Sequence, residues 1–176
     1  MELIKPRPAD WLRLYRLYRS AFPRNERKPV GMILSMCKAG TAEVLSIVDE
    51  GHFCGLAITV LFKDMVLLDY FAVKSSSRGQ GLGSKAIKII GERYIDKRLF
   101  LEIESPDDSA PNNSERVRRK AFYLRNGLAE TGVFVKLFGV DMELLTFDCE
   151  ISFEDYHSLY RFALGKPLAD KNVVLR

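Results

Sequence analysis

One hundred and seventy-six residues, 47% of them hydrophobic, suffice for one domain with a real core and are too apolar for a disordered chain. A net charge of +4 suggests an anionic ligand but is too mild to mark a nucleic-acid-binding protein. Three scattered cysteines (Cys37, Cys54, Cys149) and two histidines (His52, His157) argue against a disulfide framework or a zinc site, and no apolar stretch is long enough to cross a bilayer.

Met1 to Pro6 has no apolar signal core, so the expected compartment is the cytoplasm. Asp10 is placed to cap a helix. After it Trp11, Leu14, Tyr15, Tyr18 and Phe22 recur at helical spacing, with Arg13, Arg16 and Arg19 elsewhere around it, until Pro23 stops it. A second, short helix follows Pro29, carries Val30, Ile33, Leu34 and Cys37 on one face, and ends at Gly40. The pattern then turns to strands: Glu43 to Val48, a turn at Asp49-Glu50-Gly51, and a returning strand from Phe53 to Phe62. His52, beside that turn, is expected at the surface. Met65 to Val73 is apolar almost throughout, which predicts a strand central to its sheet.

A glycine-rich segment, Arg78 to Ser84, comes next and opens a helix with Leu82, Ala86, Ile89 and Ile90 on one face. Leu99 to Glu104 reads as a strand and Pro106 to Asn113 as a loop. Ser114 is placed to cap a helix running to Asn126 and closed by Gly127. Strands around Gly132–Phe138 and Asp141–Cys149, a helix at Phe153–Leu164 and a polar tail complete the chain. With no repeat or linker, residues 1–176 read as a single domain with a core over about 1–150. The order predicts a mixed α/β fold, a mostly antiparallel sheet flanked by helices.

Charge is unevenly placed. Met1 to Val30 holds eight basic and three acidic residues, Glu115 to Arg125 five basic and one acidic, and Asp141 to Asp155 six acidic and no Lys or Arg. Each run reads first as a solvated face. The functional alternative is that the 115–125 cluster meets phosphate and the acidic stretch meets a cationic substrate or a partner.

The segment Arg78-Gly79-Gln80-Gly81-Leu82-Gly83-Ser84 joins a buried strand to a helix. A helix start leaves backbone N–H groups without partners and carries partial positive charge, so it binds phosphate well. Glycine lets the phosphate approach the main chain. The spacing is not GxxxxGK[ST], and read as GxGxxG it gives Gly79, Gly81 and Ser84, so neither the P-loop nor the dinucleotide fingerprint fits. A strand-to-helix turn that holds no ligand remains the plain alternative.

At these residues the chain resembles the GNAT acetyltransferases, whose signature [QR]-x-x-G-x-[GA] is met by Arg78, Gly81 and Gly83. About forty residues later, Ala121-Phe122-Tyr123-Leu124-Arg125-Asn126-Gly127-Leu128 resembles the family's FYxxxGF helix end, with Leu128 where Phe is usual. The resemblance implies an acyl-coenzyme A N-acyltransferase fold and transfer of an acetyl group from acetyl-coenzyme A, as cosubstrate and without a metal, to a primary amine of a small molecule or peptide. It implies neither a nucleic-acid nor a membrane partner, and it is compatible with a homodimer. Phe71, Ala72 and Val73 would pair with the pantetheine amides, and Arg78, Gly79, Gln80, Gly81, Leu82, Gly83 and Ser84 would wrap the pyrophosphate. Where many relatives carry a cofactor-touching asparagine, this chain has Arg116. Tyr123 would protonate the departing thiolate, since a phenol holds its proton at neutral pH.

The base that deprotonates the amine has three candidates, and water relaying the proton without a dedicated base is the alternative. Glu102 and Glu104 are two apart and share a strand face. Asp69 lies in an apolar run, where burial without a partner would raise its pKa toward a useful value. The acceptor site would lie between Phe22 and Pro29 and between Phe134 and Asp148. There Arg24, Arg27 and Lys28 suit an anionic part of an acceptor, and Asp141 and Glu143 a cationic one. A non-catalytic acyl-coenzyme A-binding or sensing module on the same fold is the main rival reading. A small basic nucleic-acid-binding domain is the more distant one.

Overall fold

The computed structural model describes residues 1–24 and 26–176. They divide into two compact units, one formed by residues 1–61 and 68–94, the other by 62–67 and 95–176. The first holds β1 (Glu2–Ile4), α1 (Trp11–Ala21), α2 (Val30–Lys38), β2 (Ala42–Asp49), most of β3 (His52–Phe62) and of β4 (Met65–Val73), and α3 (Leu82–Arg93). The second holds β5 (Arg98–Glu104), α4 (Asn113–Arg125), β6 (Ala129–Leu137), β7 (Val140–Thr146), α5 (Phe153–Leu164), α6 (Lys166–Asn172) and β8 (Val173–Leu175).

In the first unit the strand order is β1-β2-β3-β4, with β1–β2 and β2–β3 antiparallel. In the second, Met65 to Leu67 of β4 pair in parallel with Arg98 to Phe100 of β5, and the order continues β7-β6-β8 with antiparallel pairing. The mixed, mostly antiparallel arrangement agrees with the expected fold class.

The helical stripe of α1 buries Leu14, Leu17 and Tyr18, which pack with Ile33 of α2 on Val44, Leu56, Ile58, Tyr70 and Ala72. Each such side chain, once fully buried, contributes about 1.5–3 kcal/mol. Tyr15, expected in the stripe, is 43% exposed. The other face of β4 carries Phe71 and Val73, which pack with Leu82 and Ala86 of α3 and with Ile47 and Cys54. Helices therefore lie on both faces of this unit's sheet. Ile87, not Ile89, completes the buried face of α3 beside Ile90. A bulge at Ile47/Val48 of β2 lies opposite β3 at Gly55. A Cβ at Gly55 would sit 2.4 Å from the Ala72 carbonyl oxygen, so only glycine lets β3 and β4 come this close.

Asp10 does not cap α1 through its side chain: its carboxylate accepts from the N–H and Nε of Arg7 at 3.2 and 3.0 Å. Asn112, not Ser114, is the N-cap of α4, without a side-chain capping bond; Ser114 lies inside the helix. Gly127 closes α4 with φ +89°, as expected. Ser152 caps α5, its hydroxyl accepting the Asp155 N–H at 3.1 Å. The tail is not simply polar coil: it forms α6 and then β8, which pairs with β6 at Leu137↔Val173.

Candidate functional site

In β4, Lys74 just past the strand end donates its N–H to the Cys54 carbonyl at 2.8 Å, and the Ala72 carbonyl faces Gly55. Main-chain groups alternate sides along a strand, so those of Ala72 are turned toward β3 and those of Phe71 and Val73 away from it. Of the three residues expected along a pantetheine arm, Phe71 and Val73 have the orientation that pairing requires. The backbone of Ala72 does not, because β3 takes that side.

Beyond β4 the chain makes a 3-10 turn at Ser75–Ser77 and runs extended through Arg78 (φ −77°, ψ 159°). It then turns left-handed at Gly79 (φ +77°) and again at Gly81 (φ +71°). Gly81 is the N-cap of α3, and its carbonyl accepts the Lys85 N–H at 3.1 Å. Leu82, Gly83 and Ser84 thus form the first turn, whose N–H groups lack helical acceptors. A Cβ built at Gly79 or Gly81 would meet no atom within 4 Å, so space over the bend is open. That opening and the unpartnered amides fit a pyrophosphate. Leu82 contributes its amide only, since its side chain is buried. Gln80 donates weakly to the Ser76 carbonyl at 3.4 Å. Gly83 is helical, so the two left-handed bends at Gly79 and Gly81 make the loop.

Asp69 is buried but has a partner. Lys28 Nζ donates to its two carboxylate oxygens at 2.6 and 2.7 Å. The premise of an unpaired carboxylate therefore fails, and Lys28 serves β4 rather than an open anion site. Tyr70 beside it accepts the Lys28 N–H at 2.9 Å and donates to the Glu26 carbonyl at 2.8 Å, while Tyr18 donates to the Lys28 carbonyl at 3.1 Å. Burial, reinforced by the neighbouring Asp69 charge, pushes the Tyr70 phenol far up. The connection between α1 and α2, expected to border an acceptor, is thus tied to β4. Asn25, within that connection, lies outside the described residues.

Glu102, Glu104 and Tyr123 belong to the second unit. Tyr156 and Tyr160 of α5 each donate to one Glu102 oxygen at 2.6 Å. Arg116 and Arg119 donate to Glu104 at 2.9 and 3.3 Å. Both glutamates are half-buried between buried neighbours at 101, 103 and 105, as a shared strand face requires. The basic cluster on α4 is partly consumed by these acids: Lys120 pairs with Glu130 and with the buried Glu143. Asp141 pairs with Lys136 at 3.2 Å. Asp141 and Glu143 are thus neutralised from within rather than offered to a cationic acceptor. Tyr123 is buried on α4, where burial pushes its phenol up to about 12 against a smaller opposing pull from Arg119.

Composition and spacing gave no sign of Lys28, Tyr156 or Tyr160 as partners of the candidate acids. The signal that did exist was chemical: a carboxylate in an apolar strand needs a partner. Among the described residues no group of three or more His, Cys, Asp or Glu is placed to hold a metal ion, and no helix is long and apolar enough to cross a membrane.

Residues 11–127 match the family model described as acetyltransferase (GNAT) family. Comparison with curated proteins gives no match. Among solved structures, a Bacteroides thetaiotaomicron protein assigned to the GNAT acetyltransferases superposes with TM-score 0.80 at 18% identity, covering 94% of this chain and 99% of its own. The ribosomal-protein-S18-alanine N-acetyltransferase of Escherichia coli gives TM-score 0.62 at 16% identity, covering 86% of this chain and 95% of its own. A GNAT acetyltransferase from Elizabethkingia anophelis with acetyl-CoA bound gives 0.56 at 16% identity, covering 84% and 96%. The structural likeness establishes the shared fold, and the family model spans most of the sequence, including the glycine bend and the Tyr123 helix: the chain belongs to the acetyltransferase (GNAT) family.

Proposed function

We propose that this acetyltransferase binds acetyl-coenzyme A at the Gly79–Ser84 bend and transfers the acetyl group directly to a primary amine held in the same complex. The observation that carries this reading is the bend itself, with two left-handed glycines opening the start of α3 at the end of β4. Acetyl-coenzyme A supplies the acetyl thioester and a thiolate leaving group. The residues of the chain supply the rest. Amides of the α3 first turn hold the pyrophosphate. The Phe71 N–H, directed away from β3, polarises the thioester carbonyl as negative charge develops on it.

A lysine-like amine is protonated below about pH 10, so a base must take one of its protons. Glu102, Glu104 and Asp69 are the candidates, each acting through a water, with a water relay that needs no dedicated base as the alternative. Asp69 and Glu104 are both paired with cations, which weakens a carboxylate as a base, and Glu102 accepts from two tyrosine hydroxyls, which also favour its charged form. As the new C–N bond forms and the C–S bond breaks, Tyr123 gives its proton to the departing sulfur; the nitrogen's second proton leaves to solvent, and the Tyr123 phenolate takes a proton back from solvent. Its raised pKa keeps that proton in place at neutral pH.

The acceptor is a primary amine of a small molecule or of a peptide. The Escherichia coli neighbour, whose name gives a ribosomal-protein alanine as its substrate, makes a free N-terminal alanine a sensible first probe. The test has two stages. Calorimetry with coenzyme A and acetyl-coenzyme A should show binding, and absence of heat would end the proposal. Thiol release is then followed across a panel holding a small diamine, a peptide with free N-terminal alanine and a lysine peptide. Binding without release for any amine would favour the non-catalytic acyl-coenzyme A-binding reading instead.

A further inference from the structure

The first unit contains a cavity of about 910 Å³ whose wall includes Arg13 and Arg16 of α1, Lys74 at the end of β4, and Arg78 at the entrance to the glycine bend. These four cations come from three separate places in the chain, and among the described residues none has a carboxylate within 4.0 Å. No Asp or Glu lines the cavity. Leu17, Ala21 and Phe53 give it an apolar floor, and the exposed His52 stands at its edge. Converging like charges repel one another, and the nearby Asp10 carboxylate is already bound by Arg7, so the cluster favours an anion from outside. The volume lies in the range of small-molecule sites, roughly 300–1,000 Å³, which pair an apolar lining with a few polar groups.

A smaller recess of about 210 Å³ shares Arg13, Gly51 and Phe53 with this cavity. Its lining includes Glu2, the Arg7–Asp10 pair and Ser46, which is 1% exposed and whose hydroxyl has no hydrogen-bond partner among the described residues. A buried hydroxyl is seldom left unpaired, so this one marks a place where a ligand's polar atom would be held. The cavity is not the bend seen from another angle. Leu17 and Phe53 belong to the packing on the Tyr70–Ala72 face of β4, whereas α3 packs on the Phe71–Val73 face.

We propose that this cavity is a second anion site, which takes a small amphipathic molecule with a phosphate or carboxylate at one end and an apolar body at the other. Arginines 13 and 16 grip the anionic end by charge-assisted hydrogen bonds, the apolar body covers Leu17, Ala21 and Phe53, and the Ser46 hydroxyl is satisfied. The ligand is either the anionic part of the acetyl acceptor or a separate effector. The proposal does not depend on the acetyl-transfer reading, and its test keeps the two apart.

The probe is phenyl phosphate, titrated calorimetrically into the full chain, alone and with saturating coenzyme A. The variant is Arg13→Gln with Arg16→Gln, at exposed helix positions where both residues are good helix formers; circular dichroism and thermal melting verify its fold. The wild type should bind one probe per chain with or without coenzyme A, and the variant, which lacks both charge-assisted contacts, should lose about tenfold or more of that affinity. Coenzyme A affinity of the variant should stay within about twofold. Wild-type protein that binds no probe, a probe competed off by coenzyme A, or undiminished binding in a folded variant would each overturn the proposal. Probe binding in a protein that binds no coenzyme A would leave the second site standing and remove the acetyl-transfer reading. For an acceptor found by the amine panel, a raised KM in the variant with unchanged kcat marks the site as part of acceptor recognition; unchanged KM with the probe still bound marks it as an effector site.

Discussion

Tyr123 joins two effects of burial. Its phenol is pushed up to about 12 because the ring and hydroxyl are desolvated, so it remains an acid over the whole neutral range. Tyr123→Phe should lower kcat by about a hundredfold or more while coenzyme A affinity stays within about twofold, the range expected of a lost general acid. Full activity in the Phe variant would remove the assignment. The same shift enters stability with a definite sign. The folded state holds this proton more tightly than the unfolded chain, whose phenols ionise near 10, so the contribution is complete below pH 10 and is lost between about 10 and 12. Wild-type protein should therefore lose stability more steeply over that interval than Tyr123→Phe, as urea titrations would read. Gly55 gives a second residue-level prediction. An alanine methyl would lie 2.4 Å from the Ala72 carbonyl oxygen, and backbone cannot swing aside as a side chain can. Gly55→Ala should cost about 3 kcal/mol.

Among the elements, the link between α1 and α2 is held to β4 by the Lys28–Asp69 pair and by the Tyr18 and Tyr70 hydroxyls. Lys28→Met would strand a buried carboxylate and should cost about 3 kcal/mol, whereas Lys28→Met with Asp69→Leu should cost less than that single change, because no lone charge is left inside. A urea double-mutant cycle measures the difference. In the second unit, Arg98 holds Asp155 of the α5 cap at 2.7 Å, and that hydrogen bond is the main reason its carboxyl lies below the ordinary value. A depressed folded pKa stabilises above the unfolded value of about 3.8 and loses its effect as pH falls through the lower folded value. Arg98→Met should flatten that acid limb. What the sequence revealed of the elements follows their length. The nine-residue run Met65–Val73 and the helix Phe153–Leu164 were legible because apolar period and length both spoke. The three-residue strands β1 and β8 were not, since so short a piece cannot display an alternation. Asp10 stands at the N-cap of α1 as expected but its carboxylate is taken by Arg7, and Ser114 misled because α4 starts one residue before it, at Asn113.

At the scale of the molecule, the glycine bend and the Tyr123 helix were legible because both are local patterns, each contained within a few residues. The partners of the acids were not. Lys28 lies 41 residues from Asp69, and Tyr156 and Tyr160 lie 54 and 58 from Glu102, distances that only the folded chain spans. Acetyl-coenzyme A at a hundred times its Kd should add about 2.7 kcal/mol to folding, since it binds the native state alone, and raise Tm by roughly 5–10 °C. Thermal scans at several concentrations check this; a Tm indifferent to the nucleotide would contradict binding at the bend. The glycines, finally, are under two different demands. At 55 the obstacle is a neighbouring strand, whereas at 79 and 81 there is only open space and a left-handed turn that asparagine also tolerates. In a deep mutational library sorted first for soluble expression and then for turnover, position 55 should already be depleted of every alternative in the first gate, while asparagine at 79 and 81 should pass it and vanish only in the second.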